Sequence, residues 1–498
     1  MCLCDTVKAP VLLTRTAAAT EVEKGIFMMV RLKGQGAQGI RIAEERKVNI
    51  LRRPESQPNP NPYHNYLSHL TLYSVVRFTH RAIFFAVHIS NPTMLDNSSR
   101  IQIDGSRGEG GGQIVRNAIA YAVLLHRAIS IHSIRAGRSK PGLRAQHLTC
   151  LRLCRDIVGG TLTGDAVGSR EISYDPPRKQ TVLVDQHVDG INHVVGDTGT
   201  AGSICLLLQA ALPVALYSKV PIQMELRGGT NASMAPQVDY LTGVMMPIAV
   251  ANFGLSTDIL VEISRRGFYP KGGGCINVLI PPLPRQKLRP IRLTNRGQIA
   301  KLRVSAFSAG NCPLWVANQM ASAAMEELKA CAELKHVLCK ANVDIALDSC
   351  AIGSASGIIL IAETTTGCIL GGSGLGDRKI KPQKTGVECA KELMSAIHSG
   401  GCVDGWLQDQ VILFMALADG VSEILTSCLT LHTQSAMDIA SKMTGAEFEV
   451  IRLDGDRSEN SASLFKDCSL PYVYGVEGLV TGNHLIRCKG IGHMPIAV

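Results

Sequence analysis

"IDGSRGEGGGQIVRNAIAYAVLL" spans Ile103–Leu125 and puts four glycines within residues 108–112, between a short apolar strand and an apolar helix. A glycine turn at such a junction suits an anion, because the first amides of a helix have no partner inside the helix. A Walker loop needs G-x-x-x-x-G-K followed by Ser or Thr. Counting from Gly105 puts Gly110 at the second glycine and Gly111 where the lysine should stand, and the loop contains no lysine. That argues against an ordinary P-loop nucleotide hydrolase. A dinucleotide fingerprint fits poorly too, since the stretch opens the regular part of the chain without a clear βαβ context. What remains is a strand, a glycine turn carrying one acid (Glu109), and a helix carrying Arg116 near its start.

Outward from this stretch the same alternation recurs. "RIQID" reads as a strand and 113–127 as a helix, with Ile114, Ala118, Tyr121, Ala122 and Leu125 on one face. A strand at 129–135 and a helix at 144–158 follow, then helices at 200–217 and 236–250 and strands at 221–227, 257–264 and 275–280. Glycine turns mark the junctions: "GDTGTAGS" (196–203), "RGGTNASMAP" (227–236) and "RGFYPKGGG" (266–274). The recurrence predicts an α/β (α+β) fold built from a repeated small module. After the proline-rich "PPLPRQKLRP" (281–290) come a strand, a helix at 314–335 and strands at 342–348 and 357–363, ending near "GGSGLGDRKIKPQK" (371–384). This block reads as an inserted α/β domain over 285–384, leaving 99–284 and 385–498 as the core.

Composition sets wider bounds. The 498 residues are 46% hydrophobic, enough for a large core divided among domains. A formal charge of +10 suits a polyanionic partner such as RNA. The 16 cysteines form no paired C-x-x-C pattern, which favours a reduced intracellular protein over a disulfide scaffold. No apolar run reaches the ~18 residues of a membrane span. Residues 1–98 differ in character. They contain "ESQPNPNPYHN" (55–65), hostile to helix and strand, and a strand-like 72–89 interrupted by Arg77, His80 and Arg81. Asp5, Glu21 and Glu23 argue against a transit peptide. The expectation is an appended, poorly ordered extension.

Three segments carry candidate chemistry. "SIRAGRSKPGLRAQH" (133–147) gathers Arg135, Arg138, Lys140 and Arg144, with Gln146 and His147 opening the next helix. Such a run is commonly a solvated face, but arginine forks match phosphate oxygens, and the neighbouring glycine loop lacks its own lysine. Glu109 reads blandly as a turn acid and functionally as a divalent-metal ligand, since magnesium on a nucleotide is held by one or two carboxylates plus phosphates. "WLQDQVILFMALADG" (406–420) supplies Asp409, Gln410 and Trp406, one of two tryptophans, whose default role is core packing and whose alternative is stacking on a base. "LTLHTQSAMDIASKM" (429–443) places His432 between an apolar strand and a helix. A lone histidine is more often structural, yet at a helix start its neutral imidazole is a competent nucleophile toward phosphorus.

Taken in order, "GSRGEGGGQIVR", "IRAGRSKPGLRAQHL", "TAGSICLLLQAALP", "GGTNASMAPQVDY", "RGFYPKGGG", "LQDQVILFMALADG" and "LTLHTQSA" resemble the RNA 3'-terminal phosphate cyclase family, its eukaryotic true-cyclase branch most of all. The resemblance runs from about residue 100 to the end. It implies βαβαββ-type modules similar to the C-terminal domain of a bacterial translation initiation factor, the last interrupted by a smaller insert. It implies ATP and Mg²⁺ (or Mn²⁺) as cofactors and an RNA with a 3'-terminal phosphate as substrate. In the implied reaction a histidine attacks the α-phosphorus of ATP, AMP passes to the RNA 3'-phosphate, and the vicinal 2'-hydroxyl displaces AMP to close a 2',3'-cyclic phosphate. His432 matches the nucleophile. Gln209, Pro236, Trp406, Asp409 and Gln410 match adenylate-binding positions, and Glu109 matches the metal-contacting acid. Arg116, Arg135, Arg138, Gln146 and His147 match polar residues near the phosphates. Trp406 stands where related enzymes carry tyrosine, and Ser435 replaces a threonine. The resemblance further implies a nuclear protein, with the cytoplasm as a second location, monomeric or homodimeric and without a membrane role. The alternative is the cyclase-like branch, non-catalytic RNA-binding factors of ribosome biogenesis, which lack the nucleophile.

Overall fold

The computed structural model describes residues 73–78, 81–86, 100–177, 187–188, 190–283, 286–427, 429–453 and 483–494. The chain divides into two units, residues 1–89 and 90–498. In the first, β1 (Tyr73–Phe78) and β2 (Arg81–Ala86) form an antiparallel hairpin with Tyr73 opposite Ala86. The rest of the 1–98 extension, and the expectation made for it, lies outside the described residues.

In the second unit one topology occurs three times. The first copy runs β3 (Ile101–Asp104), α1 (Gly112–Leu124), β4 (Ile129–His132), α2 (Ala145–Val158), β5 (Thr161–Thr163) and β6 (Ile172–Asp175). Its sheet order is β3-β4-β6-β5, with β3 parallel to β4 and the other pairs antiparallel. The second has an added edge strand, β7 (His187–Val188), then β8 (Ile191–Asp197), α3 (Ile204–Leu216) and β9 (Ile222–Gly228). Its next helix comprises α4 (Val238–Tyr240), a π turn (Leu241–Met245) and α5 (Met246–Phe253), before β10 (Leu260–Arg265) and β11 (Gly274–Ile280). Here β8 is parallel to β9 and the order is β10-β11-β9-β8-β7.

The third copy begins at β12 (Arg292–Leu293) and is interrupted at once. The interruption holds β13 (Ile299–Ala309), α6 (Leu314–Leu328), α7 (Lys335–Leu338), β14 (Asn342–Asp348), β15 (Ala355–Thr364), β16 (Ile369–Leu375) and α8 (Pro382–His398). The copy then resumes with α9 (Leu407–Leu417), β17 (Asp419–Thr426), α10 (Leu431–Thr444), β18 (Glu447–Arg452) and β19 (His484–Ile491), in the order β12-β17-β19-β18. Each copy is therefore strand–helix–strand–helix–strand–strand, its first two strands parallel and joined through a helix, as a parallel pair requires.

Helices α1 and α3 are buried nearly all round, from Gln113 to Leu124 and from Ile204 to Leu216. Such helices belong at the centre of a helical layer rather than on its surface. One continuous apolar core joins all three copies, and the inserted unit has its own.

The insert differs from the 285–384 expectation at both edges. The prolines of 281–290 punctuate the chain, but Leu288, Ile291 and Leu293 still pack into the main core, and β12 pairs with β17. At the far end the glycines of 371–374 lie inside β16, paired to β15, and do not form a linker. Cys389, Ala390, Leu393 and Ile397 of α8 are buried in the insert's core, so the inserted unit spans 299–398. Glycine there serves packing: a Cβ at Gly371 would meet the Tyr240 ring at 2.6 Å. No helix among the described residues is long and apolar enough to cross a membrane.

Candidate active site

Two of the helices that join a module's parallel strands start beside candidate residues: α1 follows the turn that carries Glu109, and α9 opens with Asp409 and Gln410 near its start. Gln146 and His147 open α2 and His432 is second in α10, helices that follow the second parallel strand. Three side chains join these starts across the fold. Ser435 Oγ of α10 accepts from the Glu109 amide at 2.9 Å. Gln146 Oε1 accepts from the Ser203 amide, at the start of α3, at 3.1 Å. Gln408 Oε1 of α9 accepts from the Thr430 amide, at the start of α10, at 3.2 Å. Helix N-termini carry partial positive charge, so their convergence favours an anion.

The glycine turn allows this approach. Gly108 and Gly110 adopt φ of +57° and +56°, a region other residues enter at a cost. A Cβ at Gly108 would also collide with the Ser435 hydroxyl, so side-chain-free backbone lets α10 close on the turn.

At the centre lies a chain of three polar side chains. Gln113 Nε2 donates to Asp409 Oδ2 at 2.8 Å, and Gln113 Oε1 faces His432 Nδ1 at 2.5 Å. The donation to Asp409 fixes which end of the amide carries oxygen. Facing an oxygen that can only accept, Nδ1 must hold the ring proton, which leaves the lone pair of neutral imidazole on Nε2. Burial raises the Asp409 carboxyl, while His432, Arg116 and the Gln113 hydrogen bond pull it down. Asp409 thus sits electrostatically opposite His432, with Gln113 between them.

Glu109 is the sole acid of the turn, and its side chain is 5% exposed. Its Oε1 accepts from the Gln113 amide at 3.1 Å, and its Oε2 pairs with Arg138 at 2.7 Å. Arg116 is buried on α1 and donates through Nε to Gln209 Oε1 at 3.0 Å. Burial lowers the Arg135 guanidinium, and so do Arg144 and Arg138, evidence that several cations share this corner. Arg135 itself turns back on its own loop, donating to the carbonyls of Lys140 and Gly142. His147 Nδ1 accepts from the Arg144 amide, and its ring is pushed down to about 3 by burial and by Arg116, Arg135 and Arg144. It is therefore neutral at pH 7, holding its proton on Nε2 beside Gly112.

Trp406 and its neighbours form an adjoining group. The Trp406 indole N–H donates to Glu392 Oε1 of α8 at 2.7 Å, and Gln410 Nε2 donates to the Trp406 carbonyl at 2.7 Å. Buried Asp404 accepts from the amides of Trp406, Leu407 and Gly371 and from the Tyr240 hydroxyl at 2.6 Å. Pro236 is buried four residues before Tyr240, whose helix Asp404 fastens to the Trp406 turn. The structure thus gathers Glu109, Asp409 and His432 around Gln113 with Arg138 on Glu109, sets Arg116–Gln209 and Gln146–His147 beside α1, and ties Trp406 to the insert with Gln410 on its carbonyl. Gln113, Gln408, Asp404 and Glu392 were not singled out from sequence. Only the position of Gln113, next to the glycines and four residues from Glu109, offered a hint.

Burial pushes Glu392 up to about 7, opposed by the Ser373 and Trp406 N–H groups and reinforced by Asp404. The folded chain therefore holds this proton more tightly than the unfolded one. The associated stability is present at low pH, is lost as pH rises from about 4.3 to about 7, and is constant above that. In urea melts, Glu392→Gln is expected to flatten this slope, gaining on the order of 1–3 kcal/mol relative to wild type between pH 4 and pH 8. Parallel pH profiles for the two proteins would show that Glu392 is not the group responsible.

A family profile described as RNA 3'-terminal phosphate cyclase matches residues 107–450, from the glycine turn to β18. The chain is 36% identical over 402 residues to "Probable RNA 3'-terminal phosphate cyclase" of Dictyostelium discoideum, covering 80% of this chain and 85% of that protein. It is 33% identical over 408 residues to the "RNA 3'-terminal phosphate cyclase" of Drosophila melanogaster, covering 80% and 99%. For the protein of that name from Methanothermobacter thermautotrophicus the identity is 38% over 359 residues, covering 72% and 97%. With the profile spanning every helix start that meets at His432, the chain belongs to the RNA 3'-terminal phosphate cyclase family of ligase-class enzymes.

Proposed function

We propose that this chain converts an RNA 3'-terminal phosphate to a 2',3'-cyclic phosphate at the expense of ATP, through a covalent adenylate on His432. The observation that carries this reading is the Asp409–Gln113–His432 chain, which leaves the lone pair on Nε2 of a ring that opens a helix beside the glycine turn, where helix N-termini favour an anion. In the first step Nε2 forms a bond to the α-phosphorus and pyrophosphate leaves with the electron pair of the broken P–O bond. The ring gains positive charge, which Nδ1–H passes toward Gln113 and Asp409. AMP then moves to an oxygen of the RNA 3'-phosphate, regenerating neutral His432. Finally the 2'-hydroxyl oxygen attacks the activated phosphorus, its proton is lost, and AMP departs. Closing this five-membered ring needs chiefly positioning, which is worth roughly 7–11 kcal/mol in well-oriented reactions.

Glu109 fits a magnesium ion of the kind a nucleotide carries. Each of its oxygens has two lone pairs and spends one on the hydrogen bonds described, leaving one for a cation that takes its other ligands from phosphates and water. Such an ion would offset charge on the phosphates. Arg138 and Arg116 supply the remaining positive charge from the protein.

The test is incubation with α-labelled ATP and Mg²⁺, followed by a search for acid-labile, hydroxylamine-sensitive label on His432. Conversion of 3'-phosphate RNA without protein-bound AMP would reject the covalent route. Absence of both would favour a non-catalytic RNA-binding role. For Trp406, stacking on adenine predicts that Trp406→Ala raises the KM for ATP by an amount corresponding to roughly 1–3 kcal/mol. Trp406→Phe retains a ring but loses the bond to Glu392, so its ATP dependence is expected to stay near wild type. An unchanged KM in a folded alanine variant would return this ring to core packing.

A further inference from the structure

Outside the cluster just described, the inserted unit brings a thiol, a carboxylate and an imidazole to one point. Cys331 follows α6, Glu333 lies two residues on, and His398 ends α8. The three separations are 3.4 Å from Cys331 Sγ to Glu333 Oε2, 3.6 Å from Sγ to His398 Nε2, and 3.4 Å from Nε2 to Oε2. Zinc takes sulfur at about 2.3 Å and nitrogen or oxygen at about 2.0–2.2 Å, so tetrahedral geometry puts its ligands about 3.3–3.6 Å apart. The three measured edges match one face of that tetrahedron. We propose that Cys331, Glu333 and His398 bind a zinc ion, with water in the fourth position.

The surroundings suit the assignment. Glu333 turns Oε2 inward, while its Oε1 faces Arg296 at 3.7 Å. An outer cation of this kind keeps the carboxylate ionised and aimed. Arg296 also donates to the Ile397 carbonyl, next to His398, and so braces two of the ligands. Cys331 is fully buried, whereas the His398 side chain is 56% exposed, leaving one side open to water and to an entering ion. A thiolate with imidazole and carboxylate selects zinc over magnesium, which prefers oxygen ligands alone. This site is therefore separate in chemistry from Glu109. An ion here would pin the end of α6 to the end of α8, the two helices that cover the insert's sheet.

The experiment uses the full chain stripped with chelator and titrated with Co²⁺ as a spectroscopic probe, then with Zn²⁺ in competition. One equivalent is expected to give a thiolate-to-cobalt charge-transfer band with the strong visible bands of a tetrahedral site, erased by Zn²⁺. Cys331→Ser should lose the charge-transfer band. The exposed-site variants His398→Ala and Glu333→Gln should weaken binding at least tenfold, and Cys339→Ser, at an exposed cysteine outside the trio, should leave it unchanged. Zn²⁺ should raise the Tm of wild type and not that of His398→Ala. Should Cys331→Ser fail to fold, His398→Ala and Glu333→Gln still decide the matter. No cobalt spectrum, or one indifferent to His398 and Glu333, would overturn the site and leave the trio as a hydrogen-bonded surface cluster.

Discussion

His432→Asn is expected to reduce both protein-bound AMP and cyclisation of a 3'-phosphate RNA by at least about 10⁴-fold, while the variant folds normally. Asparagine is similar in polarity and reach, so Gln113 can still find a partner, but an amide nitrogen has no lone pair available to attack phosphorus. His432 is half-buried at the second position of α10, whose start is held by Thr430 Oγ1 accepting from Thr433 N at 3.1 Å. The helix therefore does not depend on the imidazole. The substitution separates the steps as well. An RNA already adenylated at its 3'-phosphate carries its leaving group, and the variant should still close it. A terminal 2'-deoxy substrate should instead stall after adenylation in the wild type. Gel analysis of labelled protein and RNA distinguishes these outcomes, and covalent AMP at the wild-type rate in His432→Asn would place the nucleophile elsewhere.

The parts of this site that could be read from sequence are those whose chemistry is local. Glycines before an apolar helix, arginines in one turn and a histidine at a strand–helix junction each make a short pattern with a physical reason. The alternation of strands and helices gave the repeated module for the same reason, because hydrophobic periodicity is written within a window of about 11–18 residues. Glu109 and His432 were visible as candidates in this way. Their connection was not: Gln113 touches His432 across 319 residues of sequence and Asp409 across 296. A glutamine on a helix that is buried on every side carries no local sign that it bridges two elements so distant. Asp404 and Glu392 are similar, for each is defined by donors from both the core and the insert. The insert's edges are not marked by the prolines and glycines that suggest linkers. In three dimensions the prolines lead back into the main core, and the glycines let β16 lie against Tyr240 and α8.

Gln113→Leu tests whether that long-range bridge is part of the chemistry. Leucine preserves the size and apolar stem of a residue 1% exposed, so packing on α1 should survive. It removes the donor to Asp409 and the acceptor for His432 Nδ1 together. Two effects on the reaction follow. The imidazole loses the partner that keeps its proton on Nδ1, so some molecules present a protonated Nε2 and cannot attack. The positive charge that develops on the ring during attack also loses the oriented dipole linking it to Asp409, a stabilisation that operates in the transition state and hardly at all in ATP binding. Formation of protein-bound AMP is therefore expected to slow by roughly 10²–10³-fold, with the KM for ATP nearly unchanged. Closure of pre-adenylated RNA, which bypasses the histidine, should proceed near the wild-type rate. Asp409→Asn removes the charge but keeps an oxygen for Gln113, so its defect should be the milder of the two. A structural role alone would lower both activities together, in step with the loss of folded protein. If single-turnover adenylation in folded Gln113→Leu matches wild type, the bridge merely packs α1 against α9 and α10, and His432 is oriented by other contacts.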